Sequence, residues 1–210
     1  CGGKLIELKL VSLNIGKVTT VNWQGKPSET GFFKKPTSES QQVTYLGFKN
    51  DQQADLAVHG GIDKAIYCYP KEHYAFWEKE LGIKIQAGAF GENLTTIGLI
   101  DSEVNIGDVY TFGDVELQVC QPRFPCFKLN IAFNKKEMLA RFIDAERFGF
   151  YLKVIKEGII KPDTSFELVK SVNSQKVSEA VKAFTERSSN KALLEQSIKN
   201  PFLAEQAIDY

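Results

Sequence analysis

The stretch Gln121-Pro122-Arg123-Phe124-Pro125-Cys126-Phe127-Lys128 sets the terms for the rest of the chain. Its two prolines, three residues apart, exclude a helix and resist a continued central strand, because each lacks an amide donor and fixes its own φ. The spacing predicts a rigid loop fed by a strand that ends near Val119-Cys120. The loop presents Cys126 between Arg123 and Lys128, and neighbouring positive charge favours a thiolate, lowering a free thiol's pKa from about 8.5. Two readings of Cys126 stand side by side. It does chemistry or holds a metal, or it fills a small apolar gap, as buried free cysteines do.

Immediately upstream, Val104 to Val119 holds short β-favouring runs broken by Gly107-Asp108 and by Gly113-Asp114, the second a hairpin signal. Downstream, Met138, Leu139, Phe142 and Ile143 fit a helix with one apolar side, ended by Gly149. Phe150 to Ile155 and Ser165 to Val172 then predict two strands joined by a turn through Gly158 and Pro162. Nearer the N-terminus, apolar residues between Lys4 and Val21 recur with a period near two, which predicts strands. Asn22 to Gly25 predicts a turn, Lys26 to Gln42 an exposed excursion pinned by Phe32 and Phe33, and Val43 to Phe48 another strand. Ala65 to Tyr69 predicts a strand, and Pro70 opens a helix that Gly82 stops, with His73 a packing or surface residue on it.

After Val172 the composition shifts to three short helical patterns, with Ser174, Ser189 and Asn200 near their starts. Helices this short are unstable alone in water, so they are expected to pack together as a C-terminal module, residues 173–210, behind a main domain of residues 4–172.

Composition narrows the function. With 43% apolar and 25% charged residues the chain has the make-up of a soluble globular protein, and 26 acidic against 26 basic residues argue against a general nucleic-acid or anionic-membrane binder. No apolar run is long enough to cross a bilayer, so a cytoplasmic location is the default expectation. Cys1, Cys68, Cys120 and Cys126 form no CxxC pair, which leaves zinc ribbons and thioredoxin-like chemistry unsupported. A Cys120–Cys126 bridge would make sense only as a redox switch.

Two further loops carry polar groups beside glycines. In His59-Gly60-Gly61-Ile62-Asp63-Lys64-Ala65 the paired glycines allow positive φ and close approach by a ligand, which suits either an anion cradle or a plain turn between strands. In Phe90-Gly91-Glu92-Asn93-Leu94 small residues expose amides beside Glu92 and Asn93. Taken in order with the cysteine loop, these segments resemble the MOSC family, and their surroundings look especially like its bacterial YiiM-type members. The resemblance spans about Lys4 to Val172, and the helical tail looks like the three-helix module that follows the barrel in those members. One departure is visible: the Gly-Asp pair usual in the family upstream of the histidine loop is Asn50-Asp51 here.

The resemblance implies a mainly β, barrel-like fold with peripheral helices and a small C-terminal helical module. It implies a molybdenum cofactor (molybdopterin) with Cys126 as the protein ligand to the metal, and reduction of N-hydroxylated small molecules such as 6-hydroxylaminopurine, using two electrons with protons. Beside that, Arg123 and Lys64 are candidates for the cofactor's anionic groups, and His59, Glu92 and Asn93 for the pterin or the substrate. No GxGxxG fingerprint for a dinucleotide or flavin occurs, so electrons are expected from a separate donor protein. A homodimer is among the assemblies left open, and the tail is either a docking module or a cap on the barrel. The alternative function is a sulfur carrier that holds a persulfide on Cys126, as domains of this family attached to cofactor sulfurases suggest.

Overall fold

The structure is a computed structural model and describes residues 8–54 and 60–208. The candidate His59 and the beginning of the first expected strand, Lys4–Glu7, lie outside the described residues.

The strands are β1 (Lys9–Ile15), β2 (Thr19–Trp23), β3 (Lys26–Thr30), β4 (Lys35–Pro36), β5 (Gln41–Thr44), β6 (Gly47–Phe48) and β7 (Ile66–Pro70). They continue with β8 (Leu94–Ile97), β9 (Val109–Phe112), β10 (Val115–Pro122), β11 (Phe150–Lys156), β12 (Gly158–Ile160) and β13 (Phe166–Lys170). The helices are α1 (Tyr74–Leu81), α2 (Lys128–Ala132), α3 (Met138–Ala145), α4 (Val177–Thr185), α5 (Lys191–Ile198) and α6 (Glu205–Ile208). Eight strands in the order β13-β9-β10-β11-β7-β8-β1-β4 curl into a half-barrel, so the mainly β, barrel-like expectation holds. Pairing is antiparallel except between β7 and β8.

β7 sits centrally and explains the layering. All five of its residues are buried, and its side chains alternate between two cores. Ile66 and Cys68 join the aliphatic core with Leu13, Leu94, Leu117 and Leu152. Tyr67 and Tyr69 join an aromatic core with Trp77, Phe90, Phe142 and Phe148. A strand covered on both faces needs an almost unbroken apolar run, which is what Ile-Tyr-Cys-Tyr supplies. The aromatic layer is tightly ordered: the Trp77 and Phe142 rings stack with centroids 5.3 Å apart, and Trp77 Nε1 donates to the Tyr69 hydroxyl at 2.7 Å.

Several boundaries differ from the sequence expectation. The excursion 26–42 contains β3, which pairs with β2 across the expected turn at Gln24-Gly25. Val43 to Phe48 is a tight hairpin of β5 and β6, not one strand, because the chain reverses between Thr44 and Gly47. β10 runs on through Pro122, which pairs with Phe150 at the strand's last position, where no further ladder donor is needed. The short α2 follows Cys126 directly and was not anticipated. The tail starts later than expected: Ser174 bonds to the Ile106 carbonyl instead of capping, and α4 begins after Lys176, whose amide is capped by Glu179.

The tail is joined closely to the half-barrel. Val177 and Ala204 amides donate to Val104 and Cys120 carbonyls, and Val177, Ala180, Ala183, Phe184, Leu203 and Ala207 complete the aliphatic core. Among the described residues, no helix is long and apolar enough to cross a membrane.

Candidate functional site

The cysteine loop leaves β10 and lies against a cleft of about 500 Å3 including its mouth. Three other segments complete its walls: Gly31 to Lys34 after β3, Gln52 to Ala54, and the loop at Gly91 and Asn93. Lys64 ends the 3-10 turn Ile62–Lys64, while Tyr67 on β7 and Tyr151 on β11 face the cleft from the sheet. Lys64, Asn93, Arg123 and Cys126, four of the six residues singled out from the sequence, are thus brought to one cavity.

Cys126 is half-buried, whereas Cys68 and Cys120 are buried, and none of the three is in a disulfide among the described residues. Burial pushes the Cys68 and Cys120 thiols far up, so neither is a candidate for thiolate chemistry. Arg123 Nη2 lies 3.9 Å from Cys126 Sγ, close enough to serve as counter-charge to a thiolate. The guanidinium is buried, with its Cζ 5.3 Å from the Tyr67 ring centre and 5.7 Å from that of Phe32. Burial opposes its charge, but Cys126, Tyr67 and Tyr151 outweigh that cost and raise its pKa. Its Nη1 is buried with no hydrogen-bond partner among the described residues. A cation with an unused donor beside an open cleft is suited to an anionic oxygen.

Lys64 is half-buried, and burial lowers its pKa while Asp63 opposes the shift. Its backbone is held from below: the Asp63 carbonyl accepts from Cys120 Sγ and Gln121 Nε2, each at 3.0 Å. Asn93 contributes shape to the cleft wall. Its Oδ1 accepts from the Tyr67 amide at 3.1 Å, and its Nδ2 donates to Asp51 Oδ2 at 2.9 Å and to the Asn14 carbonyl at 3.3 Å. That side chain is fully committed within the protein.

Glu92 is in a different place from the one its candidacy required. It is completely buried behind the cleft, accepting from the Gly88 and Phe90 amides, Thr95 and the Tyr74 hydroxyl. Burial raises its carboxyl pKa, only partly offset by these donors. It braces its own loop and offers no free oxygen to a ligand.

Two charged residues at the site escaped attention as candidates. Lys34 lines the cleft and pairs with Asp51, and both side chains are almost wholly buried. Burial lowers the Lys34 pKa, against the pull of Asp51. Asp51 also accepts from the Gly16 amide at 2.7 Å, so the Asn50-Asp51 pair keeps a tight structural role despite its departure from Gly-Asp. The available signal was the alternation in Phe32-Phe33-Lys34, which places Phe32 and Lys34 on one side and leaves Phe33 exposed.

The comparisons with known proteins point the same way. The MOSC domain family model matches residues 55–167. The uncharacterized protein YflK of Bacillus subtilis is 44% identical over 160 residues, covering 76% of this chain and 72% of that protein. Protein YiiM of Escherichia coli is 39% identical over 160 residues, covering 75% and 70%. A protein of Gibberella moniliformis named "Reductase" is 42% identical over 123 residues, 56% of this chain but 22% of its own length. The crystal structure of YiiM from Geobacillus stearothermophilus superposes with a TM-score of 0.81 at 30% identity, covering 97% of this chain and 96% of that one.

Proposed function

The chain belongs to the MOSC domain family, and on that premise we propose that it is a molybdenum-cofactor-dependent oxidoreductase that reduces N-hydroxylated compounds, with Cys126 as the protein ligand to the metal. The observation that carries this reading is the pairing of a half-buried Cys126 thiol with the buried Arg123 guanidinium, whose second nitrogen has no partner among the described residues.

The residues present fit such a group. A thiolate is a soft ligand for a transition metal, and Arg123, through its unused donor, supplies positive charge for a phosphate. Among the described residues no cluster of three or more His, Cys, Asp or Glu side chains gathers, so the protein offers one sulfur to a metal that brings its other ligands with it. When bound, the cofactor would supply the two-electron redox change that the protein's own side chains cannot perform.

The chain's share of the work is binding, orientation and proton supply. Arg123, buried with its Cζ near both the Tyr67 and Phe32 rings, keeps its charge beside Cys126. Asn93 and Asp51 fix the opposite wall, so ligand recognition there falls to shape and backbone. Conversion of an N-hydroxyl to an amine and water consumes two protons with its two electrons. Lys64, half-buried and with its pKa lowered by burial, is the cleft group best placed to hold one proton and exchange it with solvent. The electrons come from a separate protein in this reading, and the name of the Gibberella relative supports the reductive direction. A reducing, cytoplasmic setting suits a Cys126 kept as thiol.

The test is metal analysis of the protein made in a molybdopterin-competent host. Molybdenum that co-purifies with the parent and falls at least tenfold in Cys126→Ala is the expected result. Protein that carries a persulfide on Cys126 and no molybdenum overturns the reading in favour of sulfur transfer. With metallated protein and an artificial electron donor, 6-hydroxylaminopurine is expected to be reduced. Turnover of other N-hydroxylated compounds without it would reject a purine preference.

A further inference from the structure

We infer that the C-terminal helices position the functional loops, with Phe184 on α4 holding the cysteine loop through Phe124. This deepens the preceding reading, because it takes Cys126 to be the functional residue, but the brace is the same whichever group the thiol serves.

The Arg123 amide donates to the Gly149 carbonyl, and Pro122 and Pro125, on either side of Arg123-Phe124, have no amide to donate. Phe124 anchors the loop by packing against both cores. It is wedged edge-on between two other rings, Phe148 at 6.3 Å and 76° on one side and Phe184 at 5.1 Å and 79° on the other. The second wall belongs to the tail. Cys126 lies two residues beyond Phe124, so removing that wall frees the thiol from its place beside Arg123.

Independent contacts lead from the tail to the same site. Val181, one turn before Phe184, is buried in the aromatic core with Leu129 of α2. The Ala204 amide donates at 3.0 Å to the carbonyl of Cys120, whose thiol in turn holds the Asp63 carbonyl next to Lys64. Gln206 of α6 lies over Gly61, where a side chain would come within 3.5 Å of its Nε2. The tail therefore touches the cysteine loop, the strand that feeds it and the glycine turn before Lys64.

Phe202 provides a matched control, since its ring lies against Gly107 instead. Amide hydrogen exchange is compared in the full chain without cofactor, in a Cys1→Ser background, for Phe184→Leu, Phe124→Leu, their double substitution and Phe202→Leu. Leucine keeps these positions apolar, so the variants fold and lose a few degrees of Tm. Phe184→Leu is expected to speed exchange in residues 121–132 by about 2- to 10-fold, the scale of one lost aromatic pair. The rate of Cys126 alkylation by iodoacetamide should change with it. Phe124→Leu should do the same, and the double substitution should add little. Phe202→Leu, at a similar loss of Tm, should leave residues 121–132 at the parent rate. Parent-like exchange of that segment in Phe184→Leu, or an equal rise in Phe202→Leu, overturns the inference. Because no metal is needed for these readings, they stand or fall separately from molybdenum binding.

Discussion

Asp51 holds more of the site together than any residue with an evident chemical role. One carboxylate takes the Lys34 ammonium, the Asn93 amide and the Gly16 amide, all in a nearly dry environment. Removing one partner of a buried ion pair leaves the other charge uncompensated, so Asp51→Ala should lower stability by about 3–5 kcal/mol, read as a shift of the urea midpoint. Glu92 behaves differently because its partners are donors without full charge. Both its oxygens accept hydrogen bonds, so Glu92→Gln turns one acceptor into a donor facing a donor and should cost about 1–3 kcal/mol. Its pH dependence has a definite sign. Burial raises the folded carboxyl above its ordinary value of 4.5, so folding takes up a proton in the interval between the two. The stability linked to this group is present below pH 4.5 and is lost as pH rises through the folded value. The gap between parent and Glu92→Gln should therefore narrow on going from pH 4.5 to 7 in urea melts; a gap that widens contradicts the assignment. Arg123 and Cys126 stood out in the sequence because each follows a proline that fixes the local backbone, and Lys64 because it lies three residues beyond the glycine pair Gly60-Gly61. For Lys34 the local cue is no more than its alternation with Phe32, and nothing local shows that the Glu92 oxygens and the Asn93 amide are spent on Tyr74 and Asp51.

Among the elements, β7 was recognisable because its apolar run is strong and short, and α1 because Pro70 and Gly82 bracket it. The β5–β6 hairpin was missed, since Thr44-Tyr45-Leu46-Gly47 contains β-favouring residues and the reversal depends on Gly47 at φ +107. α2 was missed because five residues do not declare a helical period; Leu129, buried in the aromatic core, anchors it. The junction between α3 and β11 is a tightly constrained connection. Gly149 has φ +65, its amide donates to Asp101 Oδ1, and its carbonyl receives the Arg123 amide. A Cβ there would fall 2.5 Å from the Cys68 carbonyl oxygen and 2.8 Å from Tyr69 Cδ2. Gly149→Ala should thus cost about 3 kcal/mol or more from backbone strain and overlap combined, and it should weaken the seat of the cysteine loop. Equilibrium unfolding measures the first effect and Cys126 alkylation the second.

For the whole molecule, the tail helices share the aliphatic core with the half-barrel, so the two should unfold together. Calorimetry of the full chain is expected to show one transition, and a chain ending at residue 172 should lose its near-ultraviolet dichroism, because Val177, Ala180, Ala183 and Phe184 would leave a large apolar surface uncovered. Two separate transitions would mean that residues 173–210 fold apart.

By itself the sequence determined the family, the mainly β architecture, the rigid cysteine loop and the charge beside its thiol, because each rests on residue identity and short spacings. Only the tertiary structure decided which polar groups face the cleft and which are consumed as braces. That decision is made by contacts between distant segments: Asn93 meets Asp51 across 42 residues and Asn14 across 79, and Phe184 meets Phe124 from the far end of the chain. Such pairings depend on how the half-barrel closes, and a local pattern carries no record of them.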